Sequence, residues 1–362
     1  MKIVFMGTPG FAAPALRALV KAGHEVRLVV TQPDRPKGRS GKPVPPPVKE
    51  LAVSLGIPVF QPEKVRRSDA IDEIRKTGPD ALVVAAFGQI LPKALLDVPR
   101  LGCLNVHASL LPSYRGAAPI NWAIINGEEK TGITIMLMDE GMDTGAVLTA
   151  EETPILPEDT AGTLTERLSG IGAGLIVKTL AGFEAGRIKP VKQDDSKATC
   201  APILKKETGR IDWTKTARGI EKMVRGLDPW PGAYTYRAGK MLRIWKAAPT
   251  RLESPPPCPS AFPPPSNGEG EGVSPSPLTS EGKILSPSPL TSEGKIPSPS
   301  PLRGGRGEGV PGQIISAGKD GIAVATGEGA VVLKEIQPEG GRRMTAREYL
   351  AGHEIFPGEL LG

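Results

Sequence analysis

The chain has 362 residues and a formal charge of +6, with 39% hydrophobic and 23% charged residues. We expect a soluble protein of two domains, since one core rarely organises so long a chain. The longest apolar run, residues 81–87, is far too short to cross a bilayer, which argues against an integral membrane protein. Three scattered cysteines argue against a disulfide framework and suit a reducing cytoplasm.

Strand and helix patterns alternate through the first half of the chain. Residues 2–7 predict a first strand, and this apolar run lacks the length of a signal peptide. Further strands are predicted over 25–32, 57–62, 80–88 and 101–109, and two strands joined by a tight turn over 131–148. Helices are predicted over 11–22, 47–56, 68–78 and 160–186. This alternation predicts an α/β fold with a mostly parallel, doubly wound sheet.

The pattern changes from about residue 205 onward. One short helix is predicted within 210–227 and another within 345–352, among short strands divided by glycine-rich turns. Such strands favour a small β-barrel. Residues 204–251 contain 12 Lys/Arg against four Asp/Glu, a density that suggests a polyanion partner. A solvated lysine-rich face would explain the charge equally well.

Residues 254–311 interrupt the barrel pattern. They hold 15 of the 39 prolines and three near-identical 12-residue copies that begin with the letters SPSPL. A segment so poor in aromatic and β-branched residues cannot bury enough surface to fold. We therefore expect a disordered, protease-sensitive insertion between two barrel strands. The alternative is a proline-rich ligand for an adaptor domain.

Three polar residues form the candidate catalytic group. Asn105 and His107 lie two apart near the end of an apolar strand and so share a face, and Asp143 lies in the glycine-bracketed turn 139–145. Because ligands of such folds bind beyond the carboxyl ends of strands, we expect the three to meet there. A carboxylate orients an imidazole, and an amide that donates to an oxyanion contributes roughly 3 kcal/mol to catalysis elsewhere.

This group predicts direct acyl transfer between two bound substrates, because the chain has no GxSxG motif and no Cys–His pair at a helix start. His24 and His353 have no ligand spacing with His107, so we expect no metal. The turn 7–10 lacks GxGxxG spacing and a Walker lysine, which argues against NAD and ATP. A buried structural histidine remains the alternative interpretation of His107.

A basic loop over residues 31–49 precedes the second predicted helix. Its prolines and glycines prevent a helix, so we expect it to project near the active site. Mobile basic loops often close on phosphates, although a merely solvated loop is the alternative. Its cationic residues are Arg35, Lys37, Arg39, Lys42 and Lys49.

Long motifs give the chain a resemblance to a known family. The stretches GTPGFA, TQPDRPKGR, AAFGQILP, LNVHASLLPSYRGAAPINWAIINGE and TGITIMLMDEGMDTG, followed by RIDW, DPWPGAYT and IWKA, are similar to those of the methionyl-tRNA formyltransferases of bacteria and organelles. The resemblance covers nearly the whole chain apart from about residues 252–311. It implies a Rossmann-like formyltransferase domain over 1–203. It also implies an OB-like barrel over 204–253 and 312–362, interrupted by the insertion.

The resemblance also implies the reaction and its residues. The formyl donor would be 10-formyltetrahydrofolate, and the acceptor would be the amine of methionyl initiator tRNA, formylated for translation initiation by a cytoplasmic monomer. Asn105, His107 and Asp143 would be catalytic. The implied folate-binding residues are Phe87, Gly88, Gln89, Ile90, Leu91, Ser109, Leu110, Leu111 and Pro112. The expected tRNA-binding residues are Arg35, Lys37, Arg39, Lys42, Lys205, Lys206 and Arg210, with Arg39 at the position of the family's key arginine.

Two other functions are compatible with parts of this sequence. Formyltransferases that act on purine intermediates or amino sugars use the same trio, but they have no use for a basic barrel or the basic loop. An inactive RNA-binding protein could keep both domains, but the intact trio argues against it. Formylation of charged initiator tRNA, compared with a small amine, would separate the three functions.

Overall fold

A computed structural model describes residues 1–36, 41–250 and 309–362. The strands of its first part are β1 (Lys2–Gly7), β2 (Glu25–Val30), β3 (Arg35–Pro36), β4 (Pro43–Val44), β5 (Val59–Phe60), β6 (Ala81–Ala85), β7 (Cys103–His107), β8 (Arg115–Gly116), β9 (Lys130–Leu137), β10 (Val147–Pro154) and β11 (Cys200–Ala201). The helices are α1 (Ala13–Lys21), α2 (Pro47–Ser54), α3 (Ser68–Lys76), α4 (Lys93–Leu96), α5 (Pro119–Asn126) and α6 (Ala161–Glu184). Short 3-10 turns cover Gly10–Ala12, Asp195–Lys197 and Lys206–Gly209.

The main sheet has the strand order β10-β9-β7-β6-β1-β2-β5. Strands β5, β2, β1, β6 and β7 run parallel to one another. Strand β9 runs antiparallel to β7 and to β10. The expected α/β class with a mostly parallel sheet is therefore confirmed, and the β9–β10 hairpin adds an antiparallel edge.

Alternating residues of β1 show why the sheet is covered on both faces. Ile3 and Phe5 belong to a core shared with α1, α2 and α6, whereas Val4 and Met6 belong to a core shared with α3 and α4. All four side chains are fully buried. Because successive strand residues point to opposite faces, this uninterrupted apolar run requires helices on both sides, as the doubly wound prediction states.

The second part of the chain forms an antiparallel sheet. Its elements are α7 (Ala217–Leu227), β12 (Ala233–Arg237), β13 (Lys240–Thr250), β14 (Ile314–Gly318), β15 (Gly321–Ala325), β16 (Ala330–Pro338), β17 (Met344–Thr345) and α8 (Ala346–Leu350). The order is β12-β13-β16-β15-β14, with β17 paired to β16. Both predicted short helices are present, and α7 contributes Ile220 and Val224 to the core of this sheet.

The last residues of the chain lie between the two outer strands of this sheet. The amide of Gly362 donates to the Tyr236 carbonyl of β12, and the amide of Ile314 in β14 donates to the Glu359 carbonyl. Leu360 also forms a bridge with Gln313. The C-terminal segment therefore joins the outer strands, which accords with the predicted barrel.

Several expectations lie outside the described residues. They concern Lys37 and Arg39 in the basic loop and almost all of the repeat segment, residues 254–308. In the described part of the basic loop, β3 pairs with β4. In the described part of the chain, no helix is long and apolar enough to cross a membrane.

Helix α6 lies close to the strand that carries the candidate catalytic residues. A Cβ added at Gly172 would lie 2.8 Å from Cγ1 of Val106, which stands between Asn105 and His107 on β7. Val106 is β-branched and buried, so it has little room to move. The absence of a side chain at Gly172 therefore sets the distance between α6 and β7.

We predict opposite effects for two alanine substitutions in α6. Gly174 faces open space, so Gly174→Ala should raise the free energy of unfolding by about 1 kcal/mol through helix propensity. Gly172→Ala gains the same propensity but overpacks Val106, so its stability should fall below that of Gly174→Ala by about 1–3 kcal/mol. Urea unfolding of both variants measures the difference. Equal stabilities would show that α6 and β7 are not tightly packed at this point.

Candidate active site

A cavity of about 550 Å³ opens beside the ends of β6 and β7. Strand order changes direction between β1 and β6, which is where doubly wound sheets bind ligands. The lining of the cavity is largely apolar with a few polar groups, as in small-molecule sites. The lining residues are Phe11, Val84, Ala86, Thr165 and residues 87–91, 105–108, 116–121 and 138–143.

The three candidate catalytic side chains meet in this cavity. The Nδ2 atom of Asn105 lies 3.4 Å from Oδ1 of Asp143. The Nδ1 atom of His107 lies 3.6 Å from the same oxygen. His107 is buried and the other two are half-buried. The side chains that the sequence predicts to meet are therefore brought together.

The route of Asp143 to this cavity differs from the expected one. Strand β9 is antiparallel, so its last residue, Leu137, pairs with Leu104 near the start of β7. The carboxyl ends of β7 and β9 therefore point in opposite directions. The expectation that the Asp143 turn reaches the site from the carboxyl end of a parallel strand is wrong. The loop 138–146 folds back instead and carries Asp143 to His107.

A backbone carbonyl determines which nitrogen of His107 carries hydrogen. Nε2 lies 3.0 Å from the carbonyl oxygen of Tyr114. A carbonyl oxygen can only accept, so Nε2 must donate and Nδ1 is the nitrogen that faces Asp143. His107 can therefore gain or lose a proton on the cavity side through Nδ1.

Tyr114 is itself held at several points. It has a left-handed backbone with φ of +62°, and its amide donates to Oγ1 of Thr199 at 2.8 Å. Its hydroxyl donates to Glu128 and accepts from Asn126. Burial and the bond to Glu128 raise the pKa of Tyr114 to about 12, so the hydroxyl remains a donor at neutral pH. These contacts fix the carbonyl that orients His107.

Asp143 has an unusual backbone conformation for a residue other than glycine. Its φ is +54°, a region that costs energy and recurs at functional sites. The amide of Gly116 donates to its Oδ2 at 2.9 Å. The Gln193 side chain donates to its backbone carbonyl at 2.8 Å. Both the carboxylate and the backbone of Asp143 are thus held by hydrogen bonds.

The predicted folate residues divide into two groups. Residues 87–91 line the cavity, and Gly88 has a φ of +84° that a glycine tolerates without strain. Residues 109–112 do not belong to its lining. The Ser109 hydroxyl donates to the Ser113 carbonyl at 2.6 Å, and its own carbonyl accepts from Thr134 at 2.7 Å. Ser109 therefore stabilises the turn after β7.

The described cations predicted to bind tRNA are all exposed. Arg35 forms an ion pair of 2.8 Å with Glu63. Lys205 directly precedes the 3-10 turn Lys206–Gly209. Arg210 follows this turn, and its guanidinium lies 5.9 Å from the Tyr236 ring centre. Lys42 of the basic loop is the last of these cations. Lys37 and Arg39 lie outside the described residues.

Lys49 of the basic loop has a different role. Its ammonium lies 2.7 Å from Asp34, and hydrogen bonds from Lys49 and then Gln61 lower the pKa of that carboxyl. Both ends of the loop are therefore tied together at its base by side chains.

Sequence reasoning missed the groups that position the trio. The Tyr114 carbonyl and the Gly116 amide are backbone atoms, which have no side-chain signature in a sequence. Gln193 lies 50 positions from Asp143 in a segment with no recognisable motif. The two tight glycines of the Asp143 turn were the available signal that this backbone is constrained. Within residues 1–36, 41–250 and 309–362, no group of three or more His, Cys, Asp or Glu residues could hold a metal.

Known proteins share both parts of this chain. A family model described as "Formyl transferase" matches residues 1–180, and one described as "Formyl transferase, C-terminal domain" matches residues 203–268 and 279–354. The methionyl-tRNA formyltransferase of Citrifermentans bemidjiense is 46% identical over 362 residues, which are 100% of this chain and 96% of that protein.

Solved structures share the fold at low identity. WlaRD, a sugar 3N-formyl transferase solved with dTDP and 5-N-formyl-THF, aligns with 92% of this chain and 97% of its own, with a TM-score of 0.57 and 16% identity. HypX from Aquifex aeolicus, solved with tetrahydrofolic acid, aligns with 97% of this chain, with a TM-score of 0.56 and 17% identity. This chain spans only 47% of HypX.

The Rossmann-like sheet, its cavity and the antiparallel second part define a two-part formyl-transfer enzyme. With 46% identity over its full length, the chain belongs to the methionyl-tRNA formyltransferase family.

We predict that Gly145→Ala will displace the Asp143 turn. An added Cβ would collide with the Leu137 carbonyl oxygen, so the backbone of the turn must move. A displacement of about 1 Å at a catalytic group can lower a rate about a hundredfold, and we expect that loss in kcat for formyl transfer. Gly170→Ala, which faces open space in α6, is the matched control and should keep normal kcat. A normal kcat in Gly145→Ala would contradict the tight turn.

Proposed function

We propose that the chain transfers the formyl group of 10-formyltetrahydrofolate to the free amine of methionyl initiator tRNA, which supplies formylmethionyl-tRNA for translation initiation. The observation that carries the proposal is the Asn105–His107–Asp143 group in a cavity at the switch point of the sheet, on a chain that belongs to this family. The enzyme acts as a monomer in the cytoplasm and uses no membrane partner.

Asn105 and His107 stabilise charge in the transition state. Attack of the amine on the formyl carbon produces an oxyanion, to which the Asn105 amide and the protonated Nδ1 of His107 donate hydrogen bonds. The new bond joins the formyl carbon to the amine nitrogen, and the bond from that carbon to the folate nitrogen breaks.

Asp143 orients the imidazole and participates in proton transfer. The amine loses a proton and the departing folate nitrogen gains one, so a relay on the cavity side is required. Asp143 and Nδ1 of His107, 3.6 Å apart, are the titratable groups suited to it. Because Nε2 is committed to the Tyr114 carbonyl, the relay passes through Nδ1 alone.

The folate binds against residues 87–91 and the loop 138–143. Phe87 and Leu91 are buried apolar walls, and the backbone near them supplies polar groups for a flat pterin ring. WlaRD and HypX share this fold and were solved with folates, which supports a folate as a ligand of such a fold. Residues 109–112 lie outside the cavity lining and support the folate site as the turn that follows the catalytic strand.

The tRNA binds through cations of both parts of the chain. Phosphate contacts are electrostatic and supply most of the sequence-independent affinity for nucleic acid. Arg35, Lys37, Arg39 and Lys42 contact the acceptor end from the basic loop. Lys205, Lys206 and Arg210 contact phosphates farther along the tRNA.

We predict that His107→Ala and Asp143→Ala will each lower kcat by about 10²–10⁴, the range for lost general acid–base catalysis. Asn105→Ala should lower kcat by about 10²–10³, as loss of an oxyanion donor does. Formylation of charged initiator tRNA measures the rates, and circular dichroism checks folding. A folded variant with near-normal turnover would remove that residue from the catalytic group.

We predict that the combined variant Lys205→Gln, Lys206→Gln and Arg210→Gln will bind tRNA more weakly. Each lost phosphate contact should reduce the slope of log K against log salt by about 1. A matched control substitutes glutamine for Arg75, Lys76 and Lys93. These are exposed cations of α3 and α4, and each forms an ion pair with a carboxylate on the same helix or directly after it. Filter binding at several salt concentrations compares the slopes. An unchanged slope in the first variant would place the tRNA elsewhere.

A further inference from the structure

The hydrogen bonds around Asp143 form a closed ring that includes Gln193. The Nε2 atom of Gln193 donates to the carbonyl of Asp143 at 2.8 Å and to that of Gly145 at 2.7 Å. Its Oε1 accepts from Nε and Nη2 of Arg115 at 3.1 and 2.8 Å. The next residue, Gly116, donates its amide to the Asp143 carboxylate. Gln193 and β8 therefore hold Asp143 from both its backbone and its side chain.

Gln193 is well placed to act as a fixed clamp. The side-chain amide uses both its hydrogens and receives two hydrogen bonds at its oxygen, so its bonding capacity is filled. The residue is buried. Two residues earlier, Val191 pairs with Val147 through two backbone hydrogen bonds of 2.8 Å, which sets the position of the segment against β10. Asp195 also accepts a hydrogen bond of 2.8 Å from Nη2 of Arg115.

The clamp opposes a conformational preference of Asp143. A non-glycine residue at a φ of +54° tends to relax toward a negative φ unless its surroundings prevent it. Such relaxation would rotate the peptide whose carbonyl Gln193 holds and would turn the carboxylate away from His107. Gln193 is the side chain that holds the carbonyls on both sides of residue 144.

We propose that Gln193 is a positioning residue for formyl transfer, acting through the Asp143 backbone to keep the Asp143 carboxylate facing Nδ1 of His107. This inference rests on the proposed function of the site. Gln193 touches no reacting atom and acts by restricting the conformation of the turn.

The test compares Gln193→Met with Gln337→Met in the full chain. Gln337 also donates to a carbonyl, that of Gly341 at 2.9 Å, and accepts from the Trp245 ring nitrogen at 3.0 Å, but it lies on β16. We expect Gln193→Met to lower kcat for formylation at least tenfold, with a change in KM for tRNA below threefold. Gln337→Met should keep kcat within twofold of the original chain.

A second readout does not depend on activity. The chain has only three histidines, so ¹⁵N-histidine NMR resolves their rings, and His107→Gln assigns the signals of His107. Gln193→Met should shift the His107 Nδ1 signal, while Gln337→Met should leave it in place. This readout remains valid if the chain does not formylate methionyl-tRNA, so failure of the proposed function and failure of the clamp are distinguishable.

The outcomes are decisive in either direction. An unmoved His107 signal in Gln193→Met overturns the proposal whatever the rate, and so does a moved signal with a kcat lowered less than tenfold. If Gln193→Met does not fold, Gln193→Asn serves instead, since its amide is one methylene too short to reach both carbonyls. The same two criteria then apply to Gln193→Asn.

Discussion

The site depends on one constraint: the chain that leaves β9 beside the start of β7 must run back to the end of β7, so that Asp143 meets His107. Strand β9 leaves the sheet at the edge where β7 begins, so the connecting loop has to fold back. It does so with an aspartate in the left-handed region, held by the Gly116 amide and the Gln193 side chain. Energy stored in this turn is offset by hydrogen bonds that leave the carboxylate one orientation.

His107 is constrained by the same part of the chain in a different way. Its Nε2 is committed to the Tyr114 carbonyl, and Tyr114 is held by Thr199. Strand β11 pairs with β8 immediately after Thr199, and the carbonyl of Thr199 accepts from the Arg115 amide. Residues 191–201 therefore help to position both His107 and Asp143, although neither of these two residues lies in that segment.

Much of the architecture could be predicted from hydrophobic patterning. The long helix predicted over 160–186 is α6, and the strands around Val83 and Leu104 are buried on both faces as their apolar runs indicate. Helix α5 was not predicted, because eight largely apolar residues show no clear period. The antiparallel direction of β9 was not predictable either, because β9 is buried almost continuously, as the parallel strands of this sheet are.

Only those parts of the candidate site that consist of side chains with a local sequence pattern were predictable. Asn105 and His107 stand out as polar residues on an apolar strand, and the glycines around Asp143 mark a tight turn. The groups that hold them are a carbonyl, an amide and a glutamine distant in sequence, and only the tertiary fold brings these to the site. Long-range positioning of this kind leaves no local pattern.

The pairing of β11 with β8 has a consequence for how such enzymes can be recombined. The connector between the two sheets is structurally part of the catalytic half, because Thr199 and Gln193 support residues of β8 and the turn after β9. A chimaera that exchanged the C-terminal half at residue 186, where α6 has ended, would import foreign supports for its own histidine and aspartate. The natural junction for exchanging the second part of the chain lies after Ala201, beyond the last pair of this small sheet.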